Sequence, residues 1–328
     1  MNLSLCPVCG AKEIKMVYKD LYDDRYGYPD LFDLRECAQC GHKFVQNHFK
    51  NEDLELLYTK YYPRSKYDIS DYRPFEEIKG FRGWFNGEKR AFAFVPRNCK
   101  VLDIGCGYGE SVGYHKLRGC DSYGIEADSN VKSIADRYQL NIKIGSFTGY
   151  EFESNYFDYI TMDQVLEHSI DPIKTFIQVN RVLKLGGQFI ITIPNGKGWG
   201  AREFGRKWIH WHVPYHLQFF SKRSLKIAAK RCGFKIKLIK SHTSSEWLYY
   251  QKIQNLVFPN RGQESYFFSP NVNFESASGE VLAQRDVLLH RHLSKKVNHI
   301  KTRWKDMIGV GDNLIVIFKK ISDQKELK

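Results

Sequence analysis

Along this chain the spacing of apolar residues changes character at about residue 97. Before it, β-prone stretches such as MVYKDLYDDRYGYPDLFDLREC surround a Gly27-x-Pro29 turn, the pattern of a small hairpin. After it, short apolar runs alternate with helical patterns. Val101–Ile104, Ser122–Asp128, a run from Phe157 ending at Asp163 and Gln164, Phe189–Ile193, Phe234–Lys240 and Asn313–Phe318 read as strands. Strands alternating with helices predict an α/β fold, a mostly parallel sheet with helices on both faces. The expected organisation is a small module at 1–48, a helical connector at 49–95, a nucleotide-binding domain at 96–242, a helical insertion at 243–311, and a final strand and tail at 312–328. The insertion is the expected substrate cap. It carries Trp247, Tyr249 and Tyr250, then the basic amphipathic stretch Glu280–Asp306, which suits either an ordinary surface helix or one that docks on anionic lipid.

Apolar runs such as Phe189–Ile193 and Leu314–Phe318 are far shorter than the about 20 residues that span a bilayer, so no transmembrane segment is expected. The opening MNLSLCPVCG lacks a basic stretch followed by an apolar one, and a cytoplasmic location is expected. With 42% hydrophobic against 27% charged residues over 328 positions, a disordered or fibrous chain is excluded. The net charge of +13 is unevenly placed: residues 1–95 hold 15 basic and 15 acidic side chains, 96–196 hold 10 and 12, and 197–328 hold 25 and 10. A surplus confined to the last third points to an anionic partner, whether a small substrate, nucleic acid or a membrane surface.

Eight cysteines fall into two groups. Cys6, Cys9, Cys37 and Cys40 form two C-x2-C turns, each followed by glycine, and together predict a tetrahedral four-sulfur cage of the kind that holds structural zinc. Four protein ligands leave no open position for water or substrate, so a zinc ribbon is expected and not a hydrolytic centre. His42 and His48 are bystanders in this reading. The other four cysteines show no pairing framework, in keeping with a reducing compartment.

Strand, glycine turn and helix succeed one another in CKVLDIGCGYGESVGYH, where Gly105, Gly107 and Gly109 let the backbone approach a ligand closely. The second strand ends at Glu126, 21 residues beyond Gly105, a spacing suited to an acid that grips ribose hydroxyls. VLDIGCGYG with GIEAD resembles the class I S-adenosylmethionine-dependent methyltransferases, whose glycine motif is GxGxG; Glu at position 110 departs from the NAD fingerprint. Further matches follow at Phe157–His168, Asp171-Pro172, Arg181–Asn195 and His212–Leu225. The resemblance implies a Rossmann-like, seven-stranded, mostly parallel sheet and S-adenosylmethionine as cofactor. It also implies that Asp103 steadies the glycine turn and the methionine amino group, that Gly105, Cys106, Gly107 and Gly109 form the turn, and that Glu126 and Ala127 meet the ribose. Ser146 and Phe147 would stand by the adenine, and Asp163 and Gln164 would line the methionine portion; a helix N-cap is the alternative role for Asp163. Some relatives hold a divalent metal through Glu-x-x-Glu-His, but Gln164 takes the place of the first carboxylate here, so no catalytic metal is implied.

A hydroxyl acceptor needs a general base, a task that suits histidine. WIHWHVPYH clusters His210, His212 and His216 after the fifth strand. His216 and His168 are the first candidates for that role, followed by His212. A zinc ribbon ahead of such a domain resembles enzymes that modify nucleotide-linked sugars and surface polysaccharides, which implies a small or glycan-linked anionic acceptor. The alternatives are an RNA methyltransferase holding RNA through the ribbon and the basic last third, and a non-enzymatic interaction protein.

Overall fold

A computed structural model of the chain describes residues 5–46, 56–62, 69–76, 80–87, 90–269 and 292–323. At the N-terminus, β1 (Ile14–Leu21), β2 (Phe32–Cys37) and β3 (Lys43–Gln46) pair antiparallel, the expected hairpin with one strand added. After α1 (Gly80–Asn86) the alternation begins with β4 (Lys100–Ile104), α2 (Glu110–Lys116), β5 (Asp121–Glu126), α3 (Val131–Tyr138), β6 (Asn141–Ile144) and β7 (Phe157–Asp163). It continues through α4 (Pro172–Val182), β8 (Leu183–Pro194), α5 (Trp199–Glu203), β9 (Gln218–Phe219), α6 (Lys222–Arg231) and β10 (Phe234–His242). Two insertion helices, α7 (Ser245–Leu256) and α8 (His292–Met307), precede β11 (Asn313–Lys320).

The large sheet runs β10-β11-β8-β7-β4-β5-β6, and only β11 is reversed, antiparallel to both of its neighbours. This is the seven-stranded, mostly parallel sheet expected from the sequence. Its apolar runs are continuous because both faces are covered. Leu314, Val316 and Phe318 of β11 pack with Phe176 of α4 and Leu225 of α6, whereas Ile317 joins Val101, Ile190 and Ala91 on the opposite face. Phe176 meets Phe189 and Phe318 edge to face with centroids 5.6 and 5.3 Å away, and each such buried ring stabilises the core by about 1.5–3 kcal/mol. Strand order reverses at β4, which pairs with β5 on one side and β7 on the other, so a crevice opens at the C-terminal ends of β4 and β7.

The small sheet does not end at residue 48. β9, from the middle of the chain, pairs with β3 as its fourth strand, and the buried His42 ring bonds Gln218 of β9 at 2.9 Å. The cysteine cluster rests along α6: at its start Ser221 Oγ donates to the Cys40 carbonyl at 2.9 Å, and at its end Arg231 donates to the Val8 carbonyl. The insertion clamps the other side, where Tyr26 bridges to Glu264 and Ser265 N donates to the Arg25 carbonyl at 2.8 Å. Of the Glu280–Asp306 stretch, residues 280–291 lie outside the described residues, as does His48. No helix among the described residues is long and apolar enough to cross a membrane.

Candidate active site

The glycine turn joins β4 to α2 at the switch point of the sheet. Gly105 and Gly107 both have positive φ, +69° and +53°, but their surroundings differ. A Cβ on Gly105 would lie 2.5 Å from Val165 Cγ2, so this glycine lets the loop after β7 close against the turn. At Gly107 the nearest atom is Glu110 Oε2 at 4.0 Å, which leaves the backbone open to a ligand. Gly109 serves packing, since a Cβ there would strike Ile142 and Leu140, and Cys106 turns its buried thiol into the core against Gly124. Of the four turn residues, Gly107 is the one with room before it.

Glu126 is held by two backbone donors, Gly107 N to Oε2 and Asp128 N to Oε1, both at 3.0 Å. Each carboxylate oxygen keeps lone-pair capacity for a diol. Asp103 is buried, accepting from Thr161 Oγ1 at 2.6 Å and from Ser111, which ties β4 to β7 and to the first turn of α2. Burial raises its carboxyl to about 6, against the pull of those two hydroxyls. Ala127 and Ser146 are exposed, and Phe147 packs half-buried against the main core. This open cradle, with an oriented carboxylate beside Gly107, fits the amino-acid and ribose portions of S-adenosylmethionine.

Asp163 ends β7 and is not a helix cap. The short 3-10 turn Leu166–His168 has Val165 at its N-cap position with no side-chain bond, while the Asp163 carboxylate accepts from Thr192 on the neighbouring strand β8. Burial raises Asp163 to about 7, with Arg90 opposing. Gln164 takes a left-handed backbone, φ +58°, and its amide lies 3.3 Å from Thr192 Oγ1 and 3.4 Å from Asn313 Oδ1.

The histidines expected from the sequence do converge. Leu217 N donates to the Glu167 carbonyl at 2.8 Å, which lays the loop 208–217 over the turn after β7. The rings of His168 and His216 sit 4.7 Å apart, and those of His216 and His212 4.9 Å apart. His168 Nδ1 is 3.0 Å from the Tyr215 carbonyl, and His216 Nδ1 is 2.9 Å from the His210 carbonyl. A carbonyl only accepts, so the His216 proton resides on Nδ1 and Nε2 of the neutral ring carries a lone pair. Burial lowers His168 to about 4, His210 to about 3, and His212 and His216 well below 6.5, so all four are neutral at physiological pH. Glu167 is fully buried with neither oxygen hydrogen-bonded among the described residues, and burial raises its carboxyl well above the usual range. The ligand atoms of Glu167, His168 and His216 all lie within 4.8 Å of one another. Val165, which packs on Gly105, stands three residues before His168, and this short span joins the cradle to the histidines.

The cysteine sulfurs form a second cluster. Cys6 and Cys40 Sγ are 3.6 Å apart and Cys9 and Cys37 Sγ 3.5 Å apart, and all four lie within 4.8 Å of one another. A tetrahedron with zinc–sulfur bonds of about 2.3 Å has sulfurs about 3.8 Å apart, so the cage fits that ion. Hydrogen bonding from Cys40 lowers the Cys6 thiol to about 4, which favours a thiolate.

Sequence reasoning missed the aromatic wall. Tyr26 from the small module packs edge to face on Tyr62 and Tyr215 at 5.2 and 5.5 Å, and on His212 at 5.8 Å. Its one sequence signal is the aromatic density of the YDDRYGY run between the cysteine pairs.

The family described as a methyltransferase domain matches residues 76–238. A ubiquinone biosynthesis O-methyltransferase of Pseudomonas putida (strain GB-1) is 30% identical over 162 residues, covering 47% of this chain and 68% of the relative. A phosphoethanolamine N-methyltransferase 2 of Caenorhabditis elegans is 34% identical over 125 residues, 35% of this chain, and the match spans only 28% of that relative's length. A SAM dependent methyltransferase structure from Archaeoglobus fulgidus aligns with a TM-score of 0.42 and 18% identity, over 73% of this chain and 90% of that one. The chain belongs to the S-adenosylmethionine-dependent methyltransferase family.

Proposed function

We propose that the protein transfers a methyl group from S-adenosylmethionine to a hydroxyl of a sugar or other small anionic acceptor, in surface polysaccharide or nucleotide-sugar metabolism, and that Cys6, Cys9, Cys37 and Cys40 hold a structural zinc. One observation carries the reading: His216, with Nδ1 tied to a backbone carbonyl, sits in a buried cluster one short turn from the glycine cradle. When bound, the cofactor supplies a methyl group activated on a positive sulfur. Gly107 and Glu126 hold its amino-acid and ribose portions, and Asp103 keeps β4 and α2 in register beneath them. His216 accepts the hydroxyl proton at Nε2 as the new bond forms. The aromatic wall of the buried Tyr26 and Tyr215 and the half-buried Tyr62 keeps water from the reacting atoms.

The test compares the masses of extracted sugar nucleotides and surface glycans from cells with and without the active protein. Loss of one methyl group from one glycan species supports the reading. Unchanged glycans, together with RNA retarded by the protein at low salt, would move the acceptor to RNA. His216→Ala should lower turnover of the identified acceptor by roughly 10²–10⁴ while leaving S-adenosylhomocysteine affinity in place, and full activity in this variant would remove histidine as the base.

A further inference from the structure

We infer that Arg25, carried into the site by the cysteine module, holds an oxyanion of the acceptor. This rests on the methyltransferase reading above and names the group that recognises the acceptor's negative charge. The loop from β1 to β2 is stiff where it delivers Arg25: the Asp23 carboxylate accepts the backbone N–H of Arg25 at 2.9 Å and those of Tyr26 and Tyr28 at 3.1 Å. The guanidinium runs inward. Nη2 donates to the Ile209 carbonyl at 2.6 Å, the group stacks 4.2 Å over Phe268, and Nε is buried without a hydrogen-bond partner among the described residues. Arg25 as a whole is only 6% exposed.

A guanidinium stays charged at any working pH, and a buried charge calls for a counter-charge. Arg25 makes no ion pair within 4.0 Å among the described residues. The two carboxylates next to it in sequence act only through space. Asp23 spends its oxygens on the turn, and Asp24 is buried with Oδ1 unpartnered. The other titratable groups within electrostatic reach are neutral imidazoles and phenols: His168, His210, His212, His216, Tyr26 and Tyr62. Tyr62 relates this charge to the cofactor cradle, because Arg25 and Glu126 both act on its phenol. The arrangement thus places a fixed positive charge, with no directly bonded carboxylate among the described residues, within electrostatic reach of the proposed base. A phosphate or a carboxylate a few bonds from the reacting hydroxyl would pair with the guanidinium directly, and the planar fork suits either group.

The experiment uses the full-length, metal-loaded protein saturated with S-adenosylhomocysteine, titrated calorimetrically with inorganic pyrophosphate and separately with glucuronate. The wild type should bind at least one of them, and which one binds separates a phosphate acceptor from a carboxylate acceptor. Arg25→Met should weaken that binding roughly tenfold to hundredfold, and Arg25→Lys by less, with S-adenosylhomocysteine affinity unchanged in both. Equal anion affinity in the wild type and Arg25→Met overturns the inference, as does a wild type that binds neither anion. Should Arg25→Met fail to fold, Arg25→Lys decides: it keeps the charge and loses the fork, so unaltered affinity there counts against Arg25. Failure of the wild type to bind S-adenosylhomocysteine would instead strike at the methyltransferase reading.

Discussion

Neighbouring glycines in one turn do different work, and substitution separates them. Gly105→Ala meets both a left-handed backbone and a side chain 2.5 Å away, and should destabilise the fold by about 1–3 kcal/mol in urea denaturation. Gly107→Ala has open space before it, so its larger effect should be weaker S-adenosylhomocysteine binding measured by calorimetry. Loss of binding in Gly105→Ala at unchanged stability would reverse these roles. His115 offers a cleaner titration. It is fully buried with neither ring nitrogen bonded among the described residues, and burial lowers it to about 4, Arg118 adding to the effect. Its pKa in the unfolded chain is about 6.5, so below that pH the unfolded state takes up a proton that the folded state refuses. Stability from this source therefore falls as the pH drops from about 6.5 towards 4, by at most about 1.4 kcal/mol per unit. His115→Phe should be less acid-sensitive than the wild type, with the gap absent near neutral pH. Denaturation at about pH 7.5 and about pH 5 measures it, and parallel curves would contradict it.

At the scale of elements, β9 is only two residues long yet couples the cysteine module to the histidine loop. Gln218 meets His42 on one side and donates to the Ser169 carbonyl at 3.0 Å on the other. Gln218→Ala leaves buried polar groups unmet on both sides, so it should cost about 1–3 kcal/mol in thermal or chemical unfolding. Because β9 begins two residues after His216, turnover should fall more than S-adenosylhomocysteine affinity. Most of the large sheet was legible from sequence because strands such as β4, β8 and β11 carry apolar runs bounded by turn residues, whereas β6, the mostly exposed Asn141–Ile144, has no such run. β9 was not, since a pair such as Gln218-Phe219 has no periodicity of its own and becomes a strand only by pairing with β3.

For the whole molecule, the module at the N-terminus packs against the candidate site. Its cage is seated on α6, its third strand on β9, and the loop between its first two strands against Tyr62 and Tyr215. Removing the metal with a chelator, or substituting Cys37→Ser, should lower the melting temperature and abolish methyl transfer before cofactor binding is lost. Metal analysis of the purified protein should show zinc in equal amount to the chain, and an active, metal-free preparation would refute the structural role.

Cysteine spacing, the GCGYG turn, Glu126 at its distance and the run of strands and helices could all be read without coordinates, because turn chemistry and periodicity are settled within a few neighbouring residues. The approach of His168 to His216, the diversion of Asp163 to Thr192, the core-facing thiol of Cys106 and the arrival of Arg25 from the far end of the chain could not. Those juxtapositions result from burial and packing summed over the whole sheet, and no short window of sequence reports that sum.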